Sequence, residues 1–150
     1  MNIKNFIISS TIIIFVMLTS SYFTKNVTKN YNRKWYDCIK SNLAPKSYVF
    51  SIVWPILYSL LGYIYYKNLE NNNNKITTIL TFNLLLNITW CYLFFYKKEI
   101  NLAFANLIII NLTSIYIYFN DKPNKYYILP YIIWTLFALK LNYDSINKIC

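Results

Sequence analysis

The stretch SYVFSIVWPILYSLLGYIYY, residues 47–66, contains no charged side chain. A helix rises 1.5 Å per residue, so a run of that length matches a hydrocarbon core of roughly 30 Å. Outward from it, the chain repeats the pattern. Uncharged runs extend from Phe6 to Phe23, Tyr48 to Tyr66, Ile76 to Tyr96 and Leu102 to Phe119. A fifth, Tyr126 to Ile146, is uncharged to Leu139 and then carries Lys140 and Asp144, which suit the place where a helix leaves the core. A chain that is 57% hydrophobic and 20% aromatic is not composed like a soluble domain. The expectation is an all-α membrane protein: a five-transmembrane-helix bundle forming one domain over residues 1–150, with antiparallel neighbours and a long, lid-like first loop over 25–47. Trp35, Tyr36, Leu43 and Pro45 give that loop groups able to pack back on the bundle mouth. The first run is read as a retained helix, because it exceeds a usual signal core and lacks a clear small-x-small cleavage site before Lys25.

The net charge of +10 belongs to the membrane rather than to nucleic acid, since the basic residues lie mostly between and beside the spans. With five spans, Lys4, Lys67, Lys75, Lys122 and Lys125 share one side. The other side holds Lys25, Lys29, Arg33, Lys34, Lys40, Lys46, Lys97, Lys98, Lys140 and Lys148. The positive-inside rule therefore places the first loop and the C-terminus in the cytoplasm, and the sequon Asn26-Val-Thr28 away from the glycosylation machinery. The organelle stays open between a host endoplasmic reticulum, a mitochondrial outer membrane and a bacterial envelope.

Cys38, Cys91 and Cys150 are isolated and odd in number, so the spacing indicates neither a disulfide framework nor a zinc site. There is no histidine and one glycine, Gly62. Histidine general-base chemistry, His-ligated haem and Gly-rich phosphate loops are thereby excluded, no metal site is expected, and no cofactor is required. No internal repeat supports an inverted-repeat transporter.

Projected at 3.6 residues per turn, three spans present stripes of flat aromatics with a few polar atoms. The second aligns Trp54, Tyr58 and Tyr65; the third, Asn83, Asn87, Trp90 and Phe94; the fifth, Tyr127, Tyr131, Trp134, Ala138 and Asn142. Tyr65, Tyr66, Tyr126 and Tyr127 fit an interfacial aromatic belt. Trp54, Trp90 and Trp134 lie deeper, and Asn83 and Asn87 need a partner in hydrocarbon, either another helix or a ligand. Pro55 is expected to kink its helix and open space beside Trp54. Indoles, phenols and two amides, without acid, base or metal ligand, suit a large, flat, apolar molecule such as a tetrapyrrole or a sterol.

Three blocks carry a resemblance to the translocator protein family, also called tryptophan-rich sensory proteins or peripheral-type benzodiazepine receptors. WYDCIKSNLAPKSYVFSIVWPILYSLLGYIYYKN from Trp35 is similar to the family's first loop and second helix, LNITWCYLFF (86–95) to its third helix, and LPYIIWTLFALKLNY (129–143) to its fifth. The resemblance implies a five-helix, often dimeric membrane protein that binds protoporphyrin IX, haem and sterols beneath the first loop. Trp54 and Trp134 match the indoles to which light-dependent porphyrin breakdown is attributed in some bacterial members, making a porphyrin-degrading enzyme an alternative to a binding protein. A transport or scaffold protein is the third reading. Tyr58, Asn87, Trp90 and Ala138 match positions around the ligand, and Leu141, Tyr143 and Lys148 form a sterol-recognition pattern. The chain departs from the family in its loop, KSNLAPK over 40–46, in Tyr92 and Tyr96 where proline and glycine are common, and in a first helix without glycines.

Overall fold

The computed structural model describes residues 2–28, 30–148 and 150. Its elements are α1 (Ile3–Thr24), a 3-10 turn (Lys25–Thr28), α2 (Asn30–Ile39), α3 (Ser47–Glu70), α4 (Asn74–Cys91) continuing as a π-helical segment (Tyr92–Lys97), α5 (Ile100–Asn120) and α6 (Lys125–Ile146). No strand occurs among the described residues. Local chemistry sets several ends. The Asn2 side chain accepts from the amides of Lys4 and Asn5, and the Asn73 side chain from that of Ile76, satisfying donors that a helix start leaves open. Lys98 stops the π segment in the left-handed region, at φ 60°.

The long helices form a closed ring in the order α1, α3, α6, α5, α4. Leu61, Ile64, Leu80, Leu84, Ile110 and Ile128 are buried at its centre, while Phe15, Leu18, Leu112, Phe119 and Ile133 face outward and exposed. Apolar side chains outside and amides inside is the arrangement a lipid solvent selects. Gly62 lets α1 approach α3 closely: a Cβ there would stand 3.1 Å from Cγ1 of Ile13.

Three sequence expectations are corrected. Among the described residues the α-helices number not five but six, because the first loop folds its Asn30–Ile39 segment into α2. Among the described residues, four segments, Ile3–Val27, Ser47–Glu70, Asn74–Lys97 and Ile100–Asn120, have both the length and the hydropathy to cross a membrane. The sixth helix, α6, is long enough, but its tyrosines, Pro130, Trp134, Asn142 and charged ends lower its hydropathy. The cysteines are also not all isolated: Cys38 and Cys150 form a disulfide across a sequence separation of 112 residues, which no local spacing reveals, leaving Cys91 as a buried thiol. Tyr65, expected in the interfacial belt, is instead buried with its hydroxyl 3.0 Å from Oγ1 of Thr81. Helix α3 runs through Pro55 from Ser47 to Glu70.

At one end of the ring the two short connections are knotted together. Buried Asp121 accepts from Nδ2 of Asn68 at 2.7 Å and from Nδ2 of Asn124 at 3.0 Å, and Asn73 donates to Oδ1 of Asn68 at 2.8 Å. The first loop covers the opposite end.

Candidate ligand-binding site

Beneath the first loop, α1, α3 and α4 enclose a cavity of about 910 Å³. Its wall is built from Met17, Ser20 and Thr24 of α1, Phe50, Trp54 and Tyr58 of α3, Trp90 and Cys91 of α4, and Phe95 of the π segment. The α3 contribution follows from helical spacing, since residues 50, 54 and 58 recur every four positions on one face. Trp54 stacks on Tyr58 with ring centroids 5.4 Å apart and planes at 29°. Ser20 is buried beside Tyr58 and Cys91, and its hydroxyl has no well-formed hydrogen bond among the described residues.

Helix α2 forms the roof. Arg33, Tyr36, Asp37 and Lys40, spaced by three and four, turn towards the cavity, and Pro45 and Lys46 complete its mouth. Asp37 pairs with Lys40 at 2.7 Å and lies 3.9 Å from Arg33. The Lys40 hydrogen bond holds the Asp37 carboxyl below its ordinary range, while burial raises the Tyr36 phenol, which stays protonated at neutral pH. Three cations and one carboxylate thus leave the mouth positive. The roof rests on aromatic edges, Trp35 on Phe94 at 6.2 Å and Tyr36 on Phe95 at 6.1 Å. Leu43, expected to pack on the bundle, is exposed.

A small void of about 40 Å³ adjoins the main cavity on the α6 side, where Phe94, Ala138, Leu141 and Asn142 line it with Trp90. Trp90 therefore borders both spaces, and its indole nitrogen donates to Oδ1 of Asn142 at 3.1 Å. The residues singled out from sequence fall into three groups. Trp54, Tyr58 and Trp90 line the main cavity, whereas Phe94, Ala138 and Asn142 reach the small one. Asn83, Asn87 and Tyr131 lie outside both and bond to one another and across helices. Asn83 donates to Oγ1 of Thr113 at 2.7 Å and to the Ile110 carbonyl at 3.0 Å, Tyr131 donates to Oδ1 of Asn83 at 2.7 Å, and Asn87 donates to the Tyr131 hydroxyl. Trp134 borders neither space. It packs on Phe50 at 5.6 Å and Phe137 at 5.7 Å, with its indole nitrogen buried and unpartnered among the described residues.

The sterol pattern does not present one face, for Leu141 lines the small void, Tyr143 is exposed beside Phe104, and Lys148 donates to the Lys40 carbonyl. Sequence reasoning missed Phe50, Phe95 and Ser20. Phe50 was legible as one turn before Trp54. Phe95 was not, because it lies in the π segment, where the wider turn breaks the 3.6-residue projection.

The sequence matches the model of one family, described as the TspO/MBR family, over residues 9–147. The chain belongs to the TspO/MBR family. Similar proteins include the tryptophan-rich protein TspO of Archaeoglobus fulgidus, 29% identical over 95% of each chain, and that of Bacillus cereus, 25% identical over 95% of this chain and 99% of the other. An uncharacterized membrane protein of Bacillus subtilis, YtaB, is 25% identical over 78% of this chain and 81% of its own. As a TspO/MBR member with several apolar helices, the chain is an integral membrane protein.

Proposed function

We propose that this TspO/MBR protein binds or senses tetrapyrroles such as protoporphyrin IX and haem in the main cavity, with sterols as a second ligand class. In this reading α6 is the fifth membrane span. The observation that carries it is the cavity itself: about 910 Å³, within the roughly 300–1,000 Å³ of small-molecule sites, walled by Phe50, Trp54, Tyr58, Trp90 and Phe95. Flat rings stack favourably on such faces. Arg33, Lys40 and Lys46 at the mouth match the acid groups of an amphiphilic tetrapyrrole, and the Ser20 hydroxyl offers an inner polar contact. Haem iron needs no protein ligand for this mode, since ring faces and acid groups supply the contacts.

The test is a dark titration of detergent-purified protein with protoporphyrin IX, followed by the porphyrin absorbance. Saturable binding weakened by Trp54→Phe is expected. Absence of saturable binding in the folded wild type removes the assignment.

A second reading, light-dependent porphyrin degradation, is favoured by the Trp54–Tyr58 stack, two oxidisable rings in contact on the cavity wall. It requires a porphyrin-derived product that accumulates with light and protein. Oxidised tryptophan without such a product would instead identify photodamage.

A further inference from the structure

The cavity roof is fastened to the bundle at a point that ring stacking alone does not explain. Cys38 lies in the last turn of α2, and Cys150 lies beyond the end of α6. Their disulfide, with Cα atoms 6.1 Å apart, joins the roof to the end of α6, a helix that stands beside α3 but does not line the main cavity. Both residues are exposed, so small solutes reach the bond. Around it the fastening is light: the Ser41 hydroxyl donates to Asp144 at 2.6 Å, and Lys148 donates to the Lys40 carbonyl. On the same helix, Arg33, Tyr36 and Lys40 face the cavity, so any displacement of α2 alters its mouth.

We propose that Cys38–Cys150 is a thiol–disulfide exchange site that latches α2 over the cavity when oxidised and releases it when reduced by a low-molecular-weight thiol. The consequence for ligand exchange rests on the cavity being the ligand site; the latch itself does not. In the reaction, a thiolate of the reductant attacks one sulfur of the bridge, the S–S bond breaks, and the other cysteine leaves as a thiolate and takes up a proton. A second reductant thiol resolves the mixed disulfide. The sum is one bridge and two reductant thiols giving two cysteine thiols and one oxidised reductant. Cys91 takes no part, being buried in α4.

The charge distribution gives the latch a context. Ten lysine and arginine positions on this side against five on the other favour a cytosolic orientation, where thiols are kept reduced. Persistence of the bridge instead needs an oxidising compartment. The position of the roof thus follows the redox poise of the compartment that it faces.

The experiment compares the purified full chain before and after reduction, and after Cys150→Ser or Cys38→Ser. Alkylation under denaturing conditions should count one thiol in the oxidised protein and three after reduction. Hydrogen exchange over residues 30–46 should then accelerate about tenfold on reduction, with both serine variants fast regardless of reductant. Release of protoporphyrin IX should quicken in parallel. Three thiols in protein quenched with alkylating agent after mild oxidation, or unchanged exchange across 30–46 on reduction, would overturn the proposal. Faster exchange without any porphyrin binding supports the latch and removes the tetrapyrrole assignment instead.

Discussion

The indole nitrogen of Trp90 donates to Oδ1 of Asn142 at 3.1 Å, and Nδ2 of Asn142 donates to the Ile100 carbonyl at 3.1 Å. One amide thereby connects α4, the start of α5 and α6 at the boundary between the two cavities. Trp90→Phe keeps an aromatic wall but leaves a buried carbonyl oxygen without its donor, so a loss of about 1–3 kcal/mol in stability is expected. Thermal unfolding in detergent of Trp90→Phe, Asn142→Ala and the double variant checks it. The double variant should lose less than the sum, and strict additivity would show that the bond contributes nothing.

Asn83 is the centre of a second cross-helix set, serving the Ile110 carbonyl, Thr113 and Ser114 on α5 and accepting from Tyr131 on α6. Asn83→Ala should destabilise the bundle by about 1–3 kcal/mol, since cross-helix bonds in membranes average about 0.6 kcal/mol and several are removed. Porphyrin affinity should change little, because the amide lies outside both cavities. A selective loss of affinity with unaltered melting would place Asn83 against the ligand after all.

Trp54 and Trp134 are equivalent in the sequence pattern and unequal in space. Trp54 stands on the main wall, while Trp134 lies off it and packs on the wall residue Phe50. Trp54→Phe is expected to weaken protoporphyrin binding about tenfold, which corresponds to ~1.4 kcal/mol, and Trp134→Phe by less than threefold. Equal losses in absorbance titrations would contradict this ordering.

Gly62 is a point of close approach between α1 and α3, with Ile13 opposite. Gly62→Leu overfills that gap and should cost about 1–3 kcal/mol. Combining it with Ile13→Ala should recover part of the loss, measured by the same unfolding assay. No recovery would mean that the backbone, rather than Ile13, limits the approach.

Much of the helical architecture was legible because an uncharged run has few alternatives in a bilayer. The run from Phe6 to Phe23 lies within Ile3–Thr24, and the run from Leu102 to Phe119 within Ile100–Asn120. Helix α2 was not legible: NYNRKWYDCI is short and charged, and its helicity depends on Ile39, Trp35 and Tyr36 packing downward. The site was half legible. Periodicity says which residues share a helix face, but not whether that face meets a cavity or another helix. Trp54 and Tyr58 met the first, Asn83 and Tyr131 the second. The disulfide lay beyond reach for a related reason, since two cysteines on remote segments come together only after the ring has closed.

The Asn68–Asp121–Asn124 knot makes the two ends of the bundle mechanically unequal. Short connections tied through a buried carboxylate form a stiff base, whereas the opposite rim is a separate helix resting on ring contacts of Trp35 and Tyr36 and tied by one disulfide. The rim beneath the first loop is thus the more deformable end of the cavity. Under the binding function proposed above, a released ligand would return to the side from which it entered, which fits holding a compound in reserve rather than carrying it across the bilayer.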